Sequence, residues 1–225
     1  MRRFRDRADA GRKLAAELQR LGFLATDGRE AAGAGRPGPT VVLGLARGGV
    51  VVAAEVARLG GVPLEAVVVR KVSARGYEEY ALGALATFGG STAVYRNPRQ
   101  ADDEQFQAAV AAQLPELRRR EGLFRAGRPA ADVAGKTAIL VDDGLATGST
   151  MMAAVQAVRS GRPASVVAAV PVALGPTRRH LEPVVDAAVV LYEPPGMTAV
   201  GAAFDDFAQT SEEDVLRLLA SAGRA

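Results

Sequence analysis

The sequence predicts an α/β fold of three layers, in which a mostly parallel sheet is flanked by helices. Short apolar runs of strand length alternate with segments of helical character, and strands joined by right-handed helical crossovers form a parallel sheet. The chain has 225 residues, of which 48% are hydrophobic, and this is enough for one well-buried domain. We therefore expect a single domain over residues 1–225, with a core at about 40–195 and with the segments 7–21 and 196–221 as appendages.

The elements are predicted in chain order from apolar periodicity and turn residues. Leu14, Leu18 and Leu21 lie on one face of a helix over residues 7–21, and the Gly-, Ala- and Pro-rich residues 25–39 read as a linker. The predicted strands are 41–45, 64–69, 81–88, 92–95, 137–141, 165–170 and 187–192, of which the third and fourth form a hairpin around Gly89 and Gly90. The predicted helices are 48–59, 102–120 with a break or kink near Pro115, 149–159, 177–181 and a terminal helix that begins at Ser211, with Asp214 as its capping-box partner. The polar residues 73–80 predict a loop.

Composition excludes several classes of protein. The sequence has no cysteine, which excludes a disulfide scaffold and a thiolate metal site, and with one histidine we do not expect a zinc site. No apolar run approaches the ~20 residues that a membrane-spanning helix needs. The basic N-terminus lacks the apolar segment of a secretory signal, so we expect a cytoplasmic protein. The net charge of +3 favours anionic substrates but does not require a nucleic acid partner.

The stretch 138–150, AILVDDGLATGST, carries the clearest functional signal. A buried strand ends at the acidic pair, Asp142 and Asp143, and a loop of small and hydroxyl residues then leads into a helix. The free N–H groups and positive dipole end of a helix start suit a phosphate, and the two carboxylates can accept ribose hydroxyls or hold hydrated Mg²⁺. A simple Asx turn and N-cap would explain most isolated occurrences, but the joint pattern favours a phosphosugar site.

Family resemblance narrows that interpretation. The motif is not a P-loop, because Gly148 stands where the lysine before Ser149 would be, and no GxGxxG sequence opens a βαβ unit. Four apolar residues, two acids, a short loop and a Thr-Gly-x-Thr clamp resemble the phosphoribosyl-pyrophosphate motif of the type I phosphoribosyltransferases. The resemblance runs from Phe4 to about Leu219 and implies a sheet core with a small hood from the terminal segments. It also implies Mg²⁺-dependent transfer of a phosphoribosyl group to a nitrogenous base or similar acceptor, with release of pyrophosphate.

The resemblance assigns roles within this motif. It implies that Asp142 and Asp143 hold the ribose hydroxyls and, through water or substrate, the Mg²⁺ ion. The clamp loop, which would bind the 5′-phosphate, consists of Ala146, Thr147, Gly148, Ser149 and Thr150. Relatives that use hypoxanthine or guanine have an aspartate where this chain has Ala146, so the resemblance does not support a 6-oxopurine acceptor and leaves the acceptor base open.

The Arg47 junction, GLARGG at residues 44–49, follows the first predicted strand. Backbone N–H groups and a guanidinium at such a junction can bind an anion, although a tight turn with a solvent-facing arginine would look the same. The resemblance implies that Ala46, Arg47, Gly48 and Gly49 bind pyrophosphate, with an unusual peptide bond before the glycine pair. Lys71 would be a second cation for the pyrophosphate, or simply a charge that closes a strand.

Two further positions are candidates for contact with the base. The segment 72–80 resembles the family's flexible catalytic loop, in which Glu79 matches a loop acid, and Phe204 is a candidate for stacking on the base. Glu79 as a solvated side chain and Phe204 as a core residue are equally acceptable alternatives. His180 is expected at a solvated helix end without a catalytic role.

Two other functions stay open. The basic residues Arg2, Arg3, Arg5 and Arg7 motivate a regulator that senses nucleotides and binds nucleic acid, although no helix-turn-helix or aromatic-studded basic strand accompanies them. A partner or fusion domain with degenerate chemistry is the third hypothesis. The Ala-rich helices would permit a homodimer.

Overall fold

The computed structural model describes residues 4–25, 39–74, 77–97 and 103–222, with backbone alone for 74 and 77–81. The strands are Thr40–Ala46 (β1), Leu64–Ala74 (β2), Tyr77–Phe88 (β3), Ser91–Arg96 (β4), Thr137–Val141 (β5), Ser165–Val172 (β6) and Ala187–Tyr192 (β7). The helices are Arg7–Arg20 (α1), Gly48–Gly60 (α2), Asp103–Arg125 (α3), Ser149–Arg159 (α4), Thr177–Leu181 (α5) and Glu212–Ala222 (α6).

The strands form one sheet in the order β4-β3-β2-β1-β5-β6-β7. β1 is parallel to both β2 and β5, and β6 and β7 continue the parallel part, whereas β3 and β4 extend it as antiparallel strands. The predicted mostly parallel sheet is therefore confirmed. Because β2 follows β1 on one side while β5 lies on the other, the strand order reverses between β1 and β5. A crevice opens at such a point, beyond the carboxyl ends of the two strands.

Helices cover both faces of the sheet. In β1, Leu43 and Leu45 pack in a cluster with the apolar residues of α4, whereas Val42 packs in a cluster with α1 and α2 on the opposite face. α3 and α6 cover β2 and β3 on the same face as α1 and α2. Alternate residues of a strand point to opposite faces, and a sheet covered on both has continuous apolar strands. The three predicted layers are confirmed.

The structure corrects two predicted elements. The predicted loop 73–80 is largely a hairpin, because β2 continues to Ala74 and β3 begins at Tyr77, and residues 75–76 lie outside the described part of the chain. These polar residues show no apolar alternation, so the periodicity that identifies a half-buried strand is missing. α3 is helical without interruption through Pro115 and ends at Arg125, five residues later than predicted, with Leu117 and Phe124 buried.

Three other segments can be compared with the sequence predictions: the start of the terminal helix, the predicted linker and the segment before Phe204. The predicted capping box is confirmed, since the Ser211 hydroxyl donates to the Asp214 carboxylate at 2.7 Å and accepts from the Asp214 N–H at 3.0 Å. Residues 26–38 of the predicted linker lie outside the described residues. A 3-10 helix, Val200–Ala203, was not predicted.

The two end segments of the described chain pair with each other. Phe4 forms a parallel bridge with Phe204, the Phe4 N–H donates to the Ala203 carbonyl at 2.8 Å, and the Asp205 N–H donates to the Phe4 carbonyl at 2.8 Å. The aromatic cluster, which consists of Phe4, Phe204 and Phe207, fixes this pairing with ring centroids 5.4 and 4.8 Å apart. Among the described residues, no helix is both long and apolar enough to span a bilayer.

Candidate active site

The Arg47 junction and the acidic pair meet at the edge of the sheet where the strand order reverses. Gly44 in β1 pairs with Val141 in β5, so the two loops leave neighbouring strands. A Cβ on Gly48 would overlap the Asp143 carboxylate, and a Cβ on Gly49 would lie 2.7 Å from the Val141 carbonyl oxygen. Both positions therefore require glycine. The peptide bond between Ala46 and Arg47 is cis, in agreement with the unusual bond expected there.

The acidic pair is largely buried at the wall of the sheet edge. Asp143 is 17% exposed, and the Asp142 carboxylate accepts a 2.9 Å hydrogen bond from the Asp143 N–H. Burial and the adjacent Asp143 charge raise the pKa of Asp142 well above its ordinary value of 3.8. Burial also raises the pKa of Asp143, although Arg7 and Lys71 act in the opposite direction. A pair held in this way is suited to accept hydrogen bonds from hydroxyl groups or to bind a cation.

Arg7 is the cation that pairs with Asp143. Its Nε donates to Asp143 Oδ2 at 2.8 Å, its Nη1 donates to the Ala208 carbonyl at 2.7 Å, and its guanidinium lies 3.8 Å from the centre of the Phe207 ring. From the sequence, Arg7 entered only the nucleic-acid hypothesis. Because 136 residues separate it from Asp143, no motif spacing could have connected the two.

The clamp loop is held in place by side chains from two other elements. Ser149 donates to Asn97 Oδ1 at 2.7 Å and lies 3.0 Å from the Thr147 hydroxyl. The Thr177 hydroxyl shares its one hydrogen between the Ala146 carbonyl at 2.8 Å and the Leu174 carbonyl at 2.6 Å. Gly148, with a φ of +79°, is the N-cap of α4 and provides no side-chain cap. The first N–H groups of α4 therefore have no capping side chain from Gly148, and N–H groups at a helix start can bind an anion. Asn97 and Thr177 were not predicted, because neither belongs to the motif.

One cavity of about 370 Å³ joins these features. It is lined by Lys71, Asp142, Asp143, Gly144, Ala146, Thr147, Gly148, Thr150, Val200, Gly201 and Phe207. Its volume lies within the range of small-ligand sites. Seven of the predicted site residues thus line a single cavity.

The other predicted residues lie elsewhere or are incompletely described. The Ser149 side chain is buried and turned to Asn97, and Arg47 is partly exposed at the start of α2. Phe204 is buried in the aromatic cluster, and Phe207 is the ring of that cluster that lines the cavity. The Glu79 side chain lies outside the described residues.

The described arginines of the basic N-terminus give no further support to a nucleic-acid interface. Arg7 is paired with the Asp143 carboxylate, and Arg5 lies 3.6 Å from the Asp6 carboxylate. Arg2 and Arg3 lie outside the described part of the chain. The exposed His180 lines a different cavity of about 540 Å³, on the α5 side of the clamp loop.

Comparison with known proteins places this geometry in a family. The model of the phosphoribosyl transferase domain matches residues 14–193. Two Mycobacterium tuberculosis proteins, both provisionally named phosphoribosyl transferases, are 38% identical over 227 aligned positions that include 100% of this chain and 48% of theirs. The chain thus spans about half the length of the curated relatives it matches. The crystal structure of TT1426 from Thermus thermophilus is similar with a TM-score of 0.77 and 41% identity, covering 97% of this chain and 98% of that one.

Proposed function

This chain belongs to the phosphoribosyl transferase domain family, and we propose that it transfers the phosphoribosyl group of phosphoribosyl pyrophosphate to a nitrogenous base or similar acceptor. The observation that carries the proposal is the cavity in which the acidic pair, the clamp loop and Lys71 face one another. The clamp loop gives this cavity a side that can bind an anion, and the acidic pair, a few residues earlier in the same loop, gives it a side that can accept hydrogen bonds from hydroxyl groups. Ribose 5-phosphate carries both kinds of group, a phosphate and sugar hydroxyls.

The clamp loop would bind the 5′-phosphate. The first N–H groups of α4 and the Thr147 and Thr150 hydroxyls provide donors, and the helix dipole favours the negative charge. Asp142 and Asp143 would then accept hydrogen bonds from the ribose hydroxyls, since ionised carboxylates are acceptors only. Repulsion between the acidic pair and a phosphate would set the direction in which the sugar enters.

Arg47, Lys71 and the glycine pair would bind the pyrophosphate end. The bond between the anomeric carbon and the pyrophosphate oxygen breaks with its electron pair moving to pyrophosphate, and a lone pair of the acceptor nitrogen forms the new bond. An acceptor nitrogen that carries a hydrogen releases this proton to pyrophosphate or to water. Cations and backbone N–H groups aimed at the departing oxygens stabilise the charge that develops there. Gly48 and Gly49 lie against the acidic pair, so both ends of the donor would be held across one short gap.

Mg²⁺ fits the chemistry of this donor set. The part of the chain that the structure describes contains no group of three or more metal-binding side chains, so the protein would contribute the acidic pair, and water and substrate oxygens the remaining ligands. Mg²⁺ binds proteins in this manner, through one or two carboxylates together with substrate phosphates. When bound, the ion would neutralise part of the pyrophosphate charge.

The acceptor would enter between the acidic pair and the C-terminal segment. Val200, Gly201 and Phe207 form this wall of the cavity, and the Phe207 ring provides an aromatic surface there. Ala146 stands where relatives that use hypoxanthine or guanine have an aspartate, so this chain lacks the carboxylate that would favour a 6-oxopurine. Base contacts by Glu79 and Phe204 stay predictions.

Calorimetric titration with phosphoribosyl pyrophosphate and Mg²⁺ tests the proposal. Saturable heat below millimolar donor is expected, and its absence would refute donor binding. The double variant Asp142→Asn, Asp143→Asn should lose this heat. A screen of nitrogenous bases for pyrophosphate release then identifies the acceptor, and binding without release from any base would restrict the protein to a binding role.

A further inference from the structure

The Arg7 guanidinium touches three separate parts of the site. It donates to the Asp143 carboxylate, donates to the Ala208 carbonyl and stacks on the Phe207 ring, while the Arg7 side chain itself is 12% exposed. A Cβ on Gly48 would also lie 2.9 Å from Arg7 Nε, so the Arg47 junction is a fourth neighbour. One side chain therefore connects α1 with the acidic pair, the C-terminal segment and the glycine pair.

The position of Arg7 is determined by the fold around it. Asp6 caps α1 by accepting the Asp9 N–H at 2.6 Å, and Phe4 is bridged to Phe204. The backbone on the N-terminal side of Arg7 is thus anchored, and the guanidinium is fixed by two hydrogen bonds in a planar fork. Because the Arg7 guanidinium is fixed, its hydrogen bond also restricts the orientation of the Asp143 carboxylate.

Arg7 approaches Asp143 from behind the donor cavity. Asp143 lines the 370 Å³ cavity, and the lining of that cavity does not include Arg7. Arg7 instead lines a separate cavity of about 310 Å³, with Asp6, Asp206 and Ala208. The ion pair therefore uses Asp143 Oδ2 from the side of the hood and leaves the cavity side of the carboxylate available to a ligand. A carboxylate has about four acceptor positions, so both interactions can coexist.

Given the proposed function, we propose that Arg7 is a positioning residue of the donor site, which holds the Asp143 carboxylate in the orientation that accepts the ribose hydroxyls. It acts through Asp143 and does not touch the donor. The family model matches residues 14–193, so Arg7, Phe207 and Ala208 lie outside the matched domain, whereas their partner Asp143 lies inside it. The terminal segments thereby become part of the sugar site.

The test compares Arg7→Gln with Arg7→Lys and a matched control. Lys13→Gln serves as the control, since Lys13 is a cation of the same helix that lies 5.2 Å from the Phe4 ring and pairs with Asp9. Calorimetry is carried out with three probes: phosphoribosyl pyrophosphate with Mg²⁺, ribose 5-phosphate, and inorganic phosphate. Thermal unfolding of each variant is recorded alongside.

We expect Arg7→Gln to weaken ribose 5-phosphate binding at least tenfold and inorganic phosphate binding less than twofold. Phosphate requires only the clamp loop, whereas ribose 5-phosphate also needs Asp143, so a general loss of structure would affect both probes. Arg7→Lys should restore part of the loss, because it keeps the charge without the planar fork. Lys13→Gln should bind all three probes as the wild type does.

Two different outcomes distinguish a failure of the proposed function from a failure of the positioning role of Arg7. Wild-type protein that binds neither phosphoribosyl pyrophosphate nor ribose 5-phosphate would refute the proposed function and this inference with it. If the wild type binds and Arg7→Gln binds equally well, the inference alone is wrong. Tighter binding by Arg7→Gln would also overturn it, because Arg7 would then compete with the donor. Should Arg7→Gln not fold, the ribose-to-phosphate ratio in Arg7→Lys decides, and an unchanged ratio rejects the positioning role.

Discussion

Gly48 lies so close to Asp143 that a Cβ on the glycine would overlap the carboxylate. The loop that follows β1 and the loop that follows β5 are therefore in direct contact, without room for a methyl group between them. This contact joins the two halves of the proposed donor site, and it can be tested by adding that methyl group.

Gly48→Ala should separate the two loops. Overpacking of a close contact costs about 1–3 kcal/mol, and here the displaced group is the Asp143 carboxylate, so we expect lower stability together with loss of donor binding. Urea unfolding and calorimetry measure the two effects. Gly122→Ala is the matched control, since a Cβ there meets nothing within 4 Å inside α3, and it should stabilise the protein by about 0.5–1 kcal/mol. Wild-type donor affinity in Gly48→Ala would contradict the contact.

Asp142→Asn should make the protein more stable and abolish donor binding. Burial and the neighbouring Asp143 make the ionised Asp142 unfavourable in the folded protein, and Asn keeps the oxygen that accepts the Asp143 N–H. We expect a gain of about 1 kcal/mol at neutral pH, or roughly 2–4 °C in Tm, with loss of donor binding. Asp143→Asn should gain less stability than Asp142→Asn, because burial also raises the pKa of Asp143 but its removal leaves Arg7 without its counter-charge. Equal stability of the two variants would refute this assignment of charges.

Asn97→Ala should weaken phosphate binding several-fold. The substitution removes the acceptor of the buried Ser149 hydroxyl and so loosens the clamp loop. Asn97→Asp keeps an acceptor oxygen but adds a negative charge beside the loop, so it should bind phosphate still less well. Thr92→Ala, an exposed change in β4, the strand that precedes Asn97, is the control for both. Calorimetry with inorganic phosphate gives the comparison, and an affinity in Asn97→Ala equal to that of Thr92→Ala would exclude a role for Asn97.

Glu116 should stabilise the protein in a pH-dependent manner. Hydrogen bonds from Arg119 and Arg120 lower its pKa from 4.5 to about 2. A lowered carboxyl pKa means that the unfolded chain binds more protons, so the contribution is complete above about pH 4.5 and is lost as the pH falls towards 2. Glu116→Gln should therefore be less stable than the wild type at pH 7 and equal to it near pH 2, as measured by urea unfolding. A difference that does not change with pH would contradict the prediction.

The elements that could be predicted were those with a local signal. β5 and β6 are buried on both faces, so their sequences are continuous apolar runs that periodicity identifies directly. The acidic pair and the clamp loop belong to one segment of nine residues, 142–150, and could be recognised as a unit. The predicted loop 73–80 failed as a prediction because polar residues in a hairpin carry no apolar period.

The partners of the motif could not be predicted. Arg7 and Asn97 reach the site from α1 and from the end of β4, and their contacts with Asp143 and Ser149 span 136 and 52 residues of chain. Such contacts depend on strand order and helix packing, which no local pattern specifies. A single sequence therefore identifies groups that line the candidate site, whereas the groups that hold them in place can be identified only from the fold.

The bridge between Phe4 and Phe204 has a consequence for synthesis in the cell. A nascent chain that has emerged as far as α4 already contains Arg7, the Arg47 junction and the acidic pair, so β1, β2 and β5 can assemble. Phe4 and Arg7 are synthesised early, but they can form their contacts with Phe204, Phe207 and Ala208 only after those residues have left the ribosome. The contacts of Arg7 are thus completed late in translation, and a chain truncated before residue 204 would lack Phe207 and Ala208, which hold the Arg7 guanidinium.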